Sequence, residues 1–589
     1  MSKYASLLIF VLLFNSAAPV AHGDASSDFA KLLDDSWESN IQEYPLWATS
    51  AGDHRFNDKL PAISVADAKR RSEKTRGFLT RLEAIDRSQL KLADQTNYDI
   101  FARQLKEDLS EFQFGTHLVP ISNRTGFHIE FPELRRDVPL ENTKDYENYI
   151  ARLNGFGQYA DGHIELMRAG IEAEKTLPAV ILKGYEPTIE AHIVEDPKKS
   201  LLYEPMKEFP ANVPESEHER LRAEARTAIA ESVVPGYQRF ADFMKNEYVL
   251  ATRGSIGASA LPDGRDFYRY RVRRFTTLDQ TPQEVHNIGL AEVKRIRAEM
   301  DDIIEDVGFE TPEGKETFEA FTDFLRTDPQ FYAPNAEQLL KETAAILKRA
   351  DGELPKLFGK LPRTPYGLRP VPDYIAPRTT SAYYQRPAGD GTRAGFFYMN
   401  TFNIKSRPLY TLEALSLHEA VPGHHLQLAL QQEIEGMPKF RRFSNFTAYI
   451  EGWALYSERL GLEMGFYEEP YSDFGRLTME IWRASRLVVD TGIHFFGWTR
   501  GQAIEFLRSN SAMSMHNIEA EVDRYIGWPG QALAYKTGEL KIRALRKQAE
   551  DALGDKFDIR SFHDMVLASG AIPLDVLEGN VQRWIEEQK

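Results

Sequence analysis

The sequence predicts a mainly α, multi-helical fold of more than one lobe, with a small antiparallel sheet beside a metal-binding helix. Three observations lead there. From Asp28 to about Ser255, apolar residues recur at helical spacing among charged ones. Two later stretches, 267–275 and 374–401, carry strand signals instead. Directly after the second comes Leu415-Ser-Leu-His-Glu-Ala-Val-Pro-Gly-His-His-Leu-Gln427, an apolar helical run that holds three histidines and a glutamate.

Residues 1–23 read as a signal peptide. Lys3 gives a short positive start, residues 7–14 are apolar but too short to span a bilayer, and Ala21-His-Gly23 is a small-x-small cleavage site. The processed chain is expected to begin near Asp24, in the periplasm or secreted, with no stable membrane association. The sequence has no cysteine, which excludes disulfides, a lipid on cysteine and thiolate metal sites. A net charge of −16 argues against nucleic acid as a partner.

Residues 24–255 are expected to form a helical N-terminal lobe. Segments 65–86, 94–113, 143–175 and 217–248 combine periodic apolar residues with dense charge. The Pro- and acid-rich stretch 187–214 reads as a rim or boundary. Residues 256–589 are expected to form the lobe that carries the chemistry. It opens on a predicted strand over 267–275, where aromatic or aliphatic residues alternate with arginines. Thr281, Pro282 and Glu284 then supply the cap, first residue and capping-box partner of a helix to about Asp306. His286 near its start has a structural and a cleft-facing reading. A hairpin of 374–384 and 395–401, turned at Gly389-Asp-Gly391, precedes the histidine-rich run.

His418-Glu419 begins like the His-Glu-x-x-His zinc motif, in which two histidines one turn apart bind the metal and the glutamate is the base. Here the fifth position is Pro422, and the next histidines are His424 and His425. On a regular helix His424 lies about 240° round from His418, and His425 returns to that face about 10 Å away. Pro422 clashes with the carbonyl of His418, so a Pro-Gly bulge absorbing two residues is expected to bring His424 into place. A simple kink would leave His425 as the ligand instead. After a break at Gly436-Met-Pro438, a second amphipathic helix carries Glu451 back towards the histidines, with Glu458 two turns further along its face as a competitor. Hydrogen-bonded histidines at a kinked buried helix are the plainer alternative.

His-Glu-x-x-Pro-Gly-His followed by Glu451-Gly-Trp-Ala resembles the bacterial domain-of-unknown-function 885 family, regarded as zincin-like metallopeptidases. The second motif is similar to the Glu-Gly-Phe-Ala segment of aminopeptidases, whose glutamate is the third zinc ligand. Arg483-Ala-Ser-Arg-Leu-Val-Val-Asp-Thr-Gly-Ile-His494, Pro529-Gly-Gln-Ala-Leu-Ala-Tyr-Lys-Thr-Gly538, Pro45-Leu-Trp-Ala-Thr and Gly52-Asp-His-Arg55 extend the resemblance over nearly the whole chain. It implies a two-lobed zincin-like fold with zinc as cofactor, held by His418, His424 and Glu451. Glu419 would accept a proton from a metal-activated water during attack on a peptide carbonyl. Tyr535 is the first candidate for an oxyanion donor, with Tyr383 and Tyr384 as alternatives. Arg483, Arg486, Asp490 and His494 stand at spacings that permit a buried polar ladder.

The expected function is therefore an exported zinc-dependent peptidase acting on short peptides. A zinc amidase acting on another amide, such as a cell-wall fragment, and a non-catalytic peptide-binding protein are the alternatives.

Overall fold

The computed structural model describes residues 24–373, 376, 380–387 and 393–589. The predicted signal peptide and the Gly389-Asp-Gly391 turn lie outside the described residues. Helices dominate, as the periodicity predicts. Val65–Glu83, Leu92–Gln113 and Thr143–Glu172 match three of the expected segments closely. The stretch 187–214 forms only short helical turns such as Pro187–Glu190 and Leu201–Met206. Among the described residues, no helix is long and apolar enough to cross a membrane.

The helix Pro282–Asp306 begins as its sequence dictates. The Thr281 hydroxyl accepts from the Glu284 backbone, Glu284 returns the bond to the Thr281 N–H, and Pro282 occupies the first turn. The strand expected at 267–275 is instead the helix Gly264–Thr276. Its alternation is also compatible with a helix, because Tyr268, Val272 and Phe275 are spaced i, i+4, i+7 and all three are buried. Tertiary charge pairing decides between the two periods. Arg271 and Arg274 both reach Glu111 at 2.9 Å, on the helix Leu92–Gln113.

Three short strands make the sheet: β1 Tyr366–Pro370, β2 Ala382–Gln385 and β3 Gly395–Met399. The order is β1-β3-β2, with β2 antiparallel and β1 parallel to β3. The expected hairpin is thus present, but the sheet is mixed rather than antiparallel throughout. The third strand escapes sequence reading because Gly367 and Pro370 dilute its signal within five residues.

At the middle of the protein runs the helix Pro470–His494, with 20 of its 25 residues buried. A helix covered on every side must satisfy its neighbours with several surfaces. Phe474, Leu477, Ile481 and Ala484 pack into one apolar cluster with Pro282–Asp306. Val489 and Ile493 pack into another, built mostly from residues 121–248. Met479 joins a third, which surrounds the histidine-rich segment and the C-terminal helices. This helix is the beam on which the candidate site is assembled.

Candidate metal centre

The histidine-rich run is two helices rather than one bulged helix. Leu412–Glu419 ends at Ala420, and His424–Glu433 begins after Gly423. Ala420–Gly423 cannot stay helical because Pro422 lacks an N–H and crowds the preceding turn. The break has a defined hydrogen-bond pattern. The Gly423 N–H reaches the Leu417 carbonyl, six residues back, at 2.9 Å, and the His425 N–H reaches the Ala420 carbonyl at 2.9 Å. Two residues beyond the usual four are taken up, so the predicted re-phasing occurs through a complete break. Gly423 is required there: a Cβ would lie 1.9 Å from the His418 carbonyl oxygen. The Trp453 indole donates to the Pro422 carbonyl at 2.8 Å and fixes the loop from the neighbouring helix.

That neighbour is the helix Thr447–Leu460, which carries both Glu451 and Glu458. The chain reaches it through the turn at Gly436 and a short helix, Lys439–Arg442. It crosses the helix Ala534–Leu553 at two glycines. A Cβ on Gly452 would meet the Gly538 Cα at 2.4 Å, and one on Gly538 would meet the Ala448 carbonyl oxygen at 1.8 Å. This close crossing places Tyr535, at the start of its helix, near Glu451.

His418, His424 and Glu451 converge, with one ligand atom from each lying within 4.8 Å of the others. His418 Nε2 and His424 Nε2 are each 3.6 Å from Glu451 Oε2. The rings are nearly perpendicular, with centroids 4.8 Å apart. Bonds of about 2.0–2.2 Å to one tetrahedral ion require nitrogen and oxygen donors separated by about this much, so the donor set fits zinc.

Glu458 is not part of that triangle. It stands behind His418, with its Oε1 2.7 Å from His418 Nδ1, and leaves Nε2 to face the cluster. Arg483 lies 3.6 Å from the same carboxylate oxygen. His425 turns away, as the re-phased geometry predicts. Its Nδ1 pairs with the Tyr384 hydroxyl at 2.7 Å, and its ring packs on Tyr366. Gly395 makes that arrangement possible, since a Cβ would stand 2.1 Å from the Tyr384 oxygen.

The titration behaviour follows from these neighbours. Burial would lower the His418 pKa, but Glu451 and Glu458 raise it to about 9. His424 is largely buried, its Nδ1 has no partner among the described residues, and burial pushes it down to about 4. Burial would raise the Glu451 carboxyl, yet the two histidines carry it down to about 2. The two carboxylates thus favour positive charge among these groups. Glu419 is withdrawn from solvent and pushed up to about 7, first by burial and then by the neighbouring carboxylates against the pull of His418. That value suits a proton acceptor near neutrality.

Tyr535 lies under Arg486, whose guanidinium carbon is 4.2 Å from the ring centroid. Burial and the Glu451 charge both raise its phenol pKa. The turn before it is anchored by Asp490, which accepts from the Gly530 N–H at 3.0 Å and from the Tyr268 hydroxyl at 2.6 Å. Lys536 is buried among Glu292, Glu480 and Glu539, all within 3.0 Å.

The predicted ladder along Pro470–His494 does not form. Arg486 pairs with Glu521 and Tyr525 instead, and His494 lies between the Ala258 N–H and the Tyr525 carbonyl. The i,i+4 spacing allowed the contact, but partners on other helices were better placed. Tyr383 stacks on Tyr398, and His286 bonds to Thr491.

Comparison with known proteins places the chain in a family. The profile of a bacterial protein family of unknown function (DUF885) matches residues 45–581. No curated protein matches the chain. A crystal structure from Colwellia psychrerythraea, described as a putative lipoprotein, is 28% identical with a TM-score of 0.90. It covers 96% of this chain and 100% of its own. A second, from Shewanella oneidensis, is described as a putative lipoprotein of unknown function. It is 17% identical with a TM-score of 0.67, covers 94% of this chain and 99% of its own, and shares the fold.

Proposed function

Because the chain belongs to the DUF885 family, and that family's reaction is open, we propose a function from the site itself: an exported zinc-dependent peptidase of zincin-like design. One observation carries the reading: two imidazole Nε2 atoms each stand 3.6 Å from one Glu451 oxygen, with Glu419 adjacent to His418. His418, His424 and Glu451 would hold the ion, and their three donors leave a fourth position open. A zinc ion bound there supplies a polarising charge and an acidified water.

The remaining steps belong to the side chains. Glu419 takes the water proton as the oxygen attacks the carbonyl carbon, then delivers it to the departing amine nitrogen. The carbon–nitrogen bond breaks, and water is divided between the new carboxylate and the amine. Tyr535 donates to the carbonyl oxygen as it gains charge. Glu458 holds the His418 ring through Nδ1. The description of the Colwellia psychrerythraea relative as a putative lipoprotein supports a location outside the cytoplasm.

The test pairs metal analysis with digestion of a mixed peptide library read by mass spectrometry. The expected result is about one zinc per chain and cleavage products that vanish with chelators. Glu419→Gln is expected to keep zinc while losing activity by several orders of magnitude. Full activity in metal-free protein would end the proposal.

A further inference from the structure

Arg486 sits on the central helix, 3% exposed, and is not one of the three groups that converge on the ion. A guanidinium is a plane with donors round its edge and two faces that accept aromatic rings. On the edge, Nε donates to the Tyr525 hydroxyl at 3.0 Å and Nη2 to Glu521 Oε2 at 3.1 Å. Nη1 is buried and has no hydrogen-bond partner among the described residues. The central carbon lies 4.2 Å from the Tyr535 ring centroid and 4.3 Å from that of Trp482.

The anchors of this plane are themselves fixed. The Tyr525 hydroxyl also accepts from the Trp482 indole at 3.1 Å. Glu521 also accepts from Arg524 at 2.8 Å, and Arg524 reaches the Gln531 side-chain oxygen at 2.6 Å, four residues before Tyr535. One carboxylate therefore steadies both the guanidinium against the Tyr535 ring and the turn from which the Tyr535 helix starts.

Tyr535 needs such support. It is only half-buried, and it stands three residues from Gly538, which crosses Gly452 next to Glu451. A half-exposed ring on the first turn of a helix can exchange between staggered rotamers unless a neighbour prevents it. Burying an arginine with one N–H unpaired is unfavourable, and an apolar side chain of similar volume would fill the same space without that penalty. Packing alone does not account for a cation here; a rigid plane with pinned edges does.

We infer that Arg486 is a positioning residue for Tyr535: its guanidinium, pinned by Glu521 and Tyr525, holds the phenol in the one orientation that reaches the substrate carbonyl. This rests on the peptidase reading and on Tyr535 as the donor within it.

The experiment is a double-mutant cycle in zinc-loaded protein, using the fastest-cleaved peptide of the mixed library. Arg486→Lys keeps the charge without the plane, and Arg486→Met removes both. Each is expected to lower kcat by about 10- to 100-fold with KM and zinc content little changed, the cost of a misplaced group in a transition state. In a Tyr535→Phe background the same substitutions should leave kcat where Tyr535→Phe alone puts it, because nothing remains to be positioned. Losses of the same proportion in both backgrounds, as a general loosening of the fold would give, overturn the inference. So does an unchanged kcat.

Should Arg486→Met fold poorly, Arg486→Met with Glu521→Gln leaves no stranded carboxylate and takes its place in the cycle. Crystal structures of wild type and Arg486→Lys add a readout that needs no turnover. The Tyr535 ring is expected to be displaced or split between rotamers in the variant, and a ring that keeps its place overturns the inference. Wild-type zinc protein that cleaves no peptide, with the ring released by Arg486→Lys, would instead sink the peptidase reading and leave the positioning contact standing.

Discussion

Glu458 Oε1 lies 2.7 Å from His418 Nδ1, and both groups are almost wholly buried. Among the described residues the other carboxylate oxygen of Glu458 has no hydrogen-bond partner, so the charge is directed at the imidazole and at Arg483. Glu458→Gln keeps the shape and removes the charge. Zinc affinity is expected to fall by about 10- to 100-fold, the usual cost of losing a partner behind a ligating histidine. Competition with a chromogenic chelator measures it, and unchanged affinity would show that the contact merely fills space.

His424 and His425 are adjacent in sequence and opposite in role. His424→Ala is expected to abolish tight zinc binding. His425→Ala should retain the metal and cost on the order of 1 kcal/mol of stability through the lost bond to Tyr384. Metal content and thermal unfolding of the two variants decide the matter, and a reversal would reassign the ligand.

Tyr535→Phe should lower kcat by roughly 10²–10³ with the fold and metal content retained, as for loss of one oxyanion donor. The residue is held from three sides, by the Gly452–Gly538 crossing, the Arg486 stack and the buried Lys536 cluster. Kinetics indistinguishable from wild type would remove it from the mechanism.

Asp490 supplies a pH dependence that is separate from the metal centre. Burial outweighs the bonds from Tyr268 and Gly530 and pushes its carboxyl up to about 7. Between the ordinary value of 3.8 and that point, the folded protein keeps a proton that the unfolded chain has released. This contribution to stability is full below the lower value and is lost as pH rises through the window. Asp490→Asn should therefore gain on wild type across pH 4–7, by a few degrees in Tm. Parallel Tm profiles would show that Asp490 is ionised throughout.

The sequence was most legible where one local rule decides. Thr281, Pro282 and Glu284 specified a helix start, and Pro422-Gly423 specified a disruption that selects His424 over His425. It was least legible where distant partners decide. The arginines of 267–275 became helical to meet Glu111, and Arg486 and Asp490 took partners from other helices rather than each other. Glu458 was visible as a second acidic residue on the Glu451 face, but its place behind His418 depends on a helix crossing that no spacing encodes.

The bond between the Trp453 indole and the Pro422 carbonyl makes the site optically addressable. Trp453 is fully buried, with the His563 ring edge-on at 5.7 Å, so its emission reports on a single defined environment. Any shift of the Ala420–Gly423 loop as an ion enters would change that hydrogen bond, and with it the emission wavelength and yield. Subtracting the spectrum of a Trp453→Phe variant would isolate this one fluorophore from the other tryptophans, giving a continuous, label-free readout of metal entry.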